Sequence, residues 1–213
     1  KLASFHDNGQ PYVNTEHLFD FSQQFLDNEF PHCIEMARAF VQPKYQSAAG
    51  GRKALFALDN LWDGIGGLIA TDPTVKYLSG KVTIYSTSPE MSRKAMVYYL
   101  DMSFGDREGL ITSKNPETCT PEQAAFFKEM FTGADYKENY TILNNYVKSL
   151  GDTIPPFIHL YIGLSPTMKT FGTTFDPDFG DCYDTAMIIT AKDIYPDKYK
   201  RYVESYERCK VRK

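Results

Sequence analysis

Three observations predict a mixed α/β (α+β) protein built on one mixed sheet flanked by helices. Strand-like and helix-like patterns alternate along the chain. The stretch His32 to Arg52 runs from a strand through a small-residue loop into a helix, and two strands, about 168–175 and 183–194, flank a turn near the end. The 213 residues, 42% apolar and 23% charged, suffice for one domain with a real core.

In chain order, residues 2–6 read as a strand already under way, turned at Asp7-Asn8-Gly9-Gln10-Pro11 by the Asn-Gly pair. Thr15 to Leu26 reads as a loop and a short helix. The central strand occupies about 32–41 and is cut off by Pro43, and Ser47-Ala48-Ala49-Gly50-Gly51 forms a loop. From Arg52 to about 70 a helix places Leu55, Leu58, Trp62, Ile65 and Ile69 on one face, and Asp59 and Asp63 on another. Tyr77 to Tyr85 is the next strand. Ser88 as N-cap and Pro89 at the first helical position open a helix to about 103.

Gly105 to Pro116 reads as a polar loop. Thr120 and Gln123 form a capping box for a helix ending near Gly133. Another helix runs from about 135 to 150, Pro155-Pro156 starts a short apolar one, and Pro196 opens a final amphipathic helix with a basic tail, Arg208 to Lys213.

Composition narrows the function. A net charge of −4 with no basic run argues against general nucleic-acid binding. The four cysteines are scattered without a C-x-x-C pair, which fits reduced thiols in a cytoplasmic protein and offers no metal-ligand spacing. No apolar run is long enough for a membrane-spanning helix, so membrane contact is expected to be peripheral, on the inner face. The four histidines are scattered, and no Ser or Cys sits in a nucleophile elbow. Cys33 alternates onto the same strand face as Glu35, where packing is the ordinary role of a buried thiol.

The stretch 32–52 carries the chemistry. Backbone N–H groups at a helix start lack intrahelical partners, and the helix dipole favours negative charge, so strand, Gly-rich loop and helix form an anion cradle. Neither a Walker A loop nor a Rossmann G-x-G-x-x-G is present.

The segment Ile34-Glu35-Met36-Ala37-Arg38-Ala39-Phe40-Val41 resembles the E-x-x-R strand of acyl-homoserine-lactone synthases and of bacterial ornithine-lipid and glycine-lipid N-acyltransferases. Lys76 to Tyr85, with the helix at Ser88, resembles the matching segment of the "hemolysin-like" branch of the GNAT fold. Ser165-Pro166-Thr167-Met168, Phe171-Gly172-Thr173 and Phe175 to Gly180 resemble that branch's last strand pair. The likeness covers most of residues 2–195.

The resemblance implies a GNAT-like domain that lacks its N-terminal strands here, residues 1–213 being its C-terminal two-thirds, with a helical insertion at about 117–163. It implies transfer of a long acyl chain from an acyl carrier protein or CoA thioester to the amine of a small amino-acid-like acceptor, in aminolipid synthesis. No cofactor is expected to be permanently bound. Glu35 is the implied base, directly or through water, since an ammonium must lose a proton before it attacks a thioester. A bulge within 37–41 would free a backbone N–H for the oxyanion and turn Arg38 toward Glu35. Phe40, Val41, Gln46, Ser47, Gly50, Gly51 and Arg52 would hold the thioester arm and its phosphate. Lys44, Arg52, Lys53, Arg93 and Lys94 are the basic residues available to an acidic carrier protein. Phe40, Trp62, Phe157 and Tyr161 are candidates for an acyl tunnel. Two other readings stay open: an acetyl-CoA-dependent small-molecule N-acetyltransferase, and a non-catalytic carrier- or lipid-binding module.

Overall fold

The computed structural model describes residues 4–7, 9, 11–37, 42 and 52–206, with the side chains of 52–59 excepted. The order of elements is β1 (Phe19–Phe21), α1 (Gln23–Asn28), β2 (Cys33–Met36), α2 (Arg52–Thr71), β3 (Tyr77–Ile84), α3 (Glu90–Phe104), β4 (Ile111–Ser113), α4 (Pro121–Met130), α5 (Tyr136–Ser149), α6 (Pro156–Ile162), β5 (Lys169–Asp176), β6 (Cys182–Thr190) and α7 (Pro196–Tyr199).

The main sheet has the order β2-β3-β6-β5. Strands β2 and β3 are parallel and joined through α2, with Glu35 opposite Ser79 and Met36 opposite Gly80. The other two neighbours pair antiparallel. This mixed sheet flanked by helices is the predicted class and is compatible with a GNAT-like fold. Among the described residues β2 stands at one edge. At the other edge the segment after α3 covers β5, with the Asp106 amide donating to Thr170 O at 2.8 Å and Glu117 to Thr173 O at 2.7 Å, which blunts an otherwise reactive strand edge. β5 shifts register between Thr170 and Thr173. Gly172 takes up the irregularity at φ +83°, a left-handed backbone that a side chain disfavours.

Alternation along the strands sends two cores to the two faces. Ile34, Leu78, Val82, Ile84 and Ile189 pack with α2 to α6. Cys33, Ala186, Ile188 and Phe171 pack on the other face with Phe19, Phe25 and Phe30. That second core is closed by β1 and β4, which pair Phe19 with Ser113 and Phe21 with Ile111. Neither strand was expected. Three residues are too few to show a period, and both lie in stretches read as loop or helix.

Most helices match their sequence signals, and Thr120 and Gln123 form the reciprocal capping box. α3 departs by one position: Pro89, not Ser88, is its N-cap, and no side chain bonds there. Strand β6 stops at Thr190, short of the expected 194, where a 3-10 turn at Ala191–Asp193 begins. α7 continues as a π-helical turn, Lys200–Glu204. The initial strand at 2–6 reduces, among the described residues, to a bridge between Phe5 and Pro11. The basic tail and the 43–51 loop lie outside the described residues.

Candidate active site

Glu35 is the one predicted site residue whose side chain is described. It projects from the edge strand β2 onto the face of the second core, beside Ser79. The amide of Asn14 donates to both of its carboxylate oxygens, at 2.9 and 3.0 Å. Burial raises the Glu35 pKa above the ordinary carboxylate value; the Asn14 bond and Lys81 pull it back, and Glu16 pushes it up. A raised pKa brings a carboxyl toward the range in which it both takes and gives a proton near neutrality.

Glu35 and Ser79 stand at the lip of an apolar cleft of about 380 Å³, part of it open to solvent, that is otherwise lined by Phe19, Phe21, Phe25, Phe30, Phe171 and neighbouring aliphatic groups. None of these phenylalanines was among the expected tunnel residues. Four of them lie within residues 19–30 and the fifth on β5, and they meet because β1 and β4 clasp the N-terminal segment over the sheet. Of the expected tunnel residues, Trp62 and Tyr161 are buried on the opposite face and Phe157 packs partly buried there, within the helical core.

The parallel pairing of β2 with β3 is described as far as Met36 and Gly80, and β3 runs on to Ile84. At that last rung a Cβ on Gly80 would meet Met36 O and the Tyr161 hydroxyl, each at 3.2 Å. Gly80 therefore lets the phenol come down onto the sheet backbone from the helical face, while the same residue lines the cleft on the other.

Next to Glu35 on the cleft face lies a polar network that the sequence did not reveal. Lys81 bonds Asp184 and lies 3.3 Å from Asp176, and Thr83 donates to Asp184 at 2.6 Å. His17 approaches Asp176 at 3.7 Å, and Lys81 lies 4.9 Å above the Phe179 ring. Burial raises the Asp184 pKa despite Lys81 and Thr83. Burial also works against Asp176, but bonds with Asp184 and Lys81 hold its carboxyl below the ordinary value. The fold thus assembles two sets of metal-ligand types, His17 with Asp176 and Asp178, and Asp176 with Cys182 and Asp184, each within 4.8 Å. The Lys81 ammonium supplies the cation between them.

Cys33 is buried on the Glu35 face, and burial, with Glu29 nearby, pushes its thiol up to about 12. A thiol so rarely ionised is a packing residue, not an acyl carrier. The histidines stay apart from it: His32 meets Thr74 O at 3.1 Å and His6 meets Glu16 at 2.8 Å. Two of the five cations proposed for carrier docking are already engaged. Arg93 and Lys94 both pair with Glu117, at 3.1 and 2.8 Å, and Arg93 stacks 4.1 Å over Tyr183. They fasten α3 to the segment before α4. Arg38, Phe40, Val41, Gln46, Ser47, Gly50 and Gly51 lie outside the described residues, as do the side chains of Arg52 and Lys53. α2 does begin at Arg52, where the cradle was expected to end.

No protein-family model matches the chain. No solved structure matches it at a significant level. Two curated relatives do, both named glycine N(alpha)-acyltransferase. The one from Phocaeicola vulgatus is 41% identical over 204 residues, 96% of this chain and 62% of the relative. The one from Bacteroides thetaiotaomicron is 41% identical over 205 residues, 95% of this chain and 60% of the relative. The chain therefore spans about three-fifths of the length of these relatives. The chain is thus similar over nearly all of its own length to part of two proteins named as N-acyltransferases.

Proposed function

We propose that the protein transfers a long-chain acyl group from an acyl carrier protein or CoA thioester to the amine of a small amino acid, forming an N-acyl amino acid for aminolipid synthesis. Glycine is the acceptor that the relatives' name suggests. The observation that carries the reading is Glu35, held by the Asn14 amide at the lip of the phenylalanine-lined cleft and beside the last described rung of the parallel pair.

In this reading the thioester lies along the edge of β2, and the acyl tail enters the cleft. Glu35, directly or through a water, takes the proton from the acceptor ammonium. The freed nitrogen lone pair attacks the thioester carbonyl; the nitrogen then gives up a second proton to solvent, the C–S bond breaks as the carbonyl re-forms, and the thiolate leaves with its electron pair and takes a proton from solvent. Apolar walls around Glu35 keep the carboxyl's affinity for a proton high enough to do this. GNAT ancestry and an acyl carrier protein as donor are part of the same proposal, as is peripheral contact with a membrane that receives the product; among the described residues no helix is long and apolar enough to cross one.

The test uses the full-length protein with glycine and three donors: hexadecanoyl-CoA, hexadecanoyl-acyl carrier protein and acetyl-CoA. Mass spectrometry is expected to find N-hexadecanoylglycine, and Glu35→Gln to lower its rate by at least about 10²-fold, the usual scale for a lost general base. Transfer from acetyl-CoA alone would replace the long-chain reading. Undiminished turnover by Glu35→Gln would remove Glu35 from the chemistry.

A further inference from the structure

We infer that the Ser79 hydroxyl is a second acceptor for the amine of the incoming amino acid, holding one of its N–H groups while Glu35 takes the proton from another. The inference rests on the acyl-transfer reading above and adds to it the residue that orients the nucleophile.

Three observations carry it. Ser79 is the register partner of Glu35 on the adjacent parallel strand. Leu78 and Val82 of that strand pack into the helical core, so alternation turns Ser79 to the face that carries Glu35. Among the described residues that line the cleft, only Thr15, Glu35 and Ser79 have polar side chains. Ser79 is half-buried, and among the described residues no hydrogen bond engages its hydroxyl, which leaves the oxygen lone pairs available to a ligand.

Strand spacing suits the shared nitrogen. Neighbouring strands lie about 4.8 Å apart. A tetrahedral nitrogen that gives two hydrogen bonds of about 2.9 Å spans acceptors about 4.7 Å apart. One amine can therefore bridge the side chains of register partners. The surrounding charge favours a cation there. Glu16 pushes the Glu35 pKa up, and Lys81, which pulls it down, is already bonded to Asp184 and lies 3.3 Å from Asp176.

The two acceptors have different tasks. A serine hydroxyl is far too weak a base to deprotonate an ammonium, so that proton goes to Glu35 or to the water it holds. Ser79 accepts a second N–H and keeps the nitrogen from turning, which aims the freed lone pair at the thioester carbonyl. The lone pair forms the C–N bond as the carbonyl π pair moves to oxygen. The nitrogen gives up its second proton to solvent. As the carbonyl re-forms, the C–S bond breaks, and sulfur leaves with its electron pair and takes a proton from solvent.

The experiment uses the full-length protein with glycine and hexadecanoyl-CoA or hexadecanoyl-acyl carrier protein, and compares wild type, Ser79→Ala and Ser79→Thr. Ser79→Ala is expected to lower kcat/KM for glycine by about 10- to 100-fold, the scale of one hydrogen bond to a charged group, with donor KM and melting temperature unchanged. Ser79→Thr keeps the hydroxyl on a side chain suited to a strand and is expected to stay within about threefold of wild type. A residue that merely walls the cleft would move donor KM or melting instead, or would leave Ser79→Thr as impaired as Ser79→Ala; either result overturns the inference. If wild type is active and Ser79→Ala matches its kcat/KM for glycine, the inference falls while the acyl-transfer reading stands. If wild type transfers nothing from either donor, both fall. Should Ser79→Ala fail to fold, Ser79→Cys carries the test. Its sulfur is a weak acceptor, so the same loss is expected, and full activity overturns the inference.

Discussion

At the scale of single residues, the base role proposed for Glu35 pulls against stability. Its raised folded pKa means that the native state holds the proton more tightly than the unfolded chain does. Stability from this group is fully present below the unfolded value and is lost as pH rises through the folded one. Glu35→Gln removes that loss. Melting followed from pH 4 to 8 is expected to show the variant at least as stable as wild type near neutrality, with the advantage vanishing at acid pH. Activity of wild type should rise over the same interval as the carboxyl ionises. The sequence singled out Glu35 because it sits in a short motif at one place in the chain. It did not single out Lys81, Asp176 and Asp184: Lys81 lies 95 and 103 residues from the two acids and meets them through the β3–β6–β5 pairing. A contact between strands so distant in sequence leaves no motif within any one stretch.

Among elements, α2 and the π-helical turn at Lys200–Glu204 show how closely the helical face is packed. A Cβ on Gly66 would lie 2.1 Å from Tyr202 O, a backbone atom that cannot swing aside. Gly66→Ala is therefore expected to destabilise by about 1–3 kcal/mol, the range for overpacking. The sign is opposite to that for a glycine in an open helix, where alanine usually helps. Urea unfolding at equilibrium measures it. The helices themselves were legible because capping and apolar spacing are written locally: Thr120 with Gln123 bonds the start of α4 as the residue types suggest. The three-residue strands β1 and β4 were not, since their existence depends on each other and on the surface they cover. With them went the cleft, whose aromatic wall they hold in place.

For the molecule as a whole, one question is what allows charge inside the sheet's second face. Lys81 sets one positive charge between two carboxyl groups that are 1% and 0% exposed, and it joins β3 to β5 and β6 while His17 brings in the N-terminal segment. Lys81→Met leaves both acids without their cation. Removing one side of a buried pair costs about 3–5 kcal/mol, and the loss is expected to be largest near neutral pH. With the ammonium gone, the buried carboxyls favour their protonated forms, so acidification should recover part of the stability. Urea midpoints at pH 5 and 7.5 test this.

The assembly of the cleft from two sources has a consequence for how such a protein diversifies. Glu35 sits on a strand, whereas most of the aromatic wall belongs to a short stretch, residues 13–30, laid over it like a lid on a box. In the proposed reading, substitutions among the phenylalanines of that stretch would resize the compartment for longer or shorter tails, while Asn14 in the same stretch keeps the carboxylate in place. Tail length and chemistry would then be set by different residues of one chain.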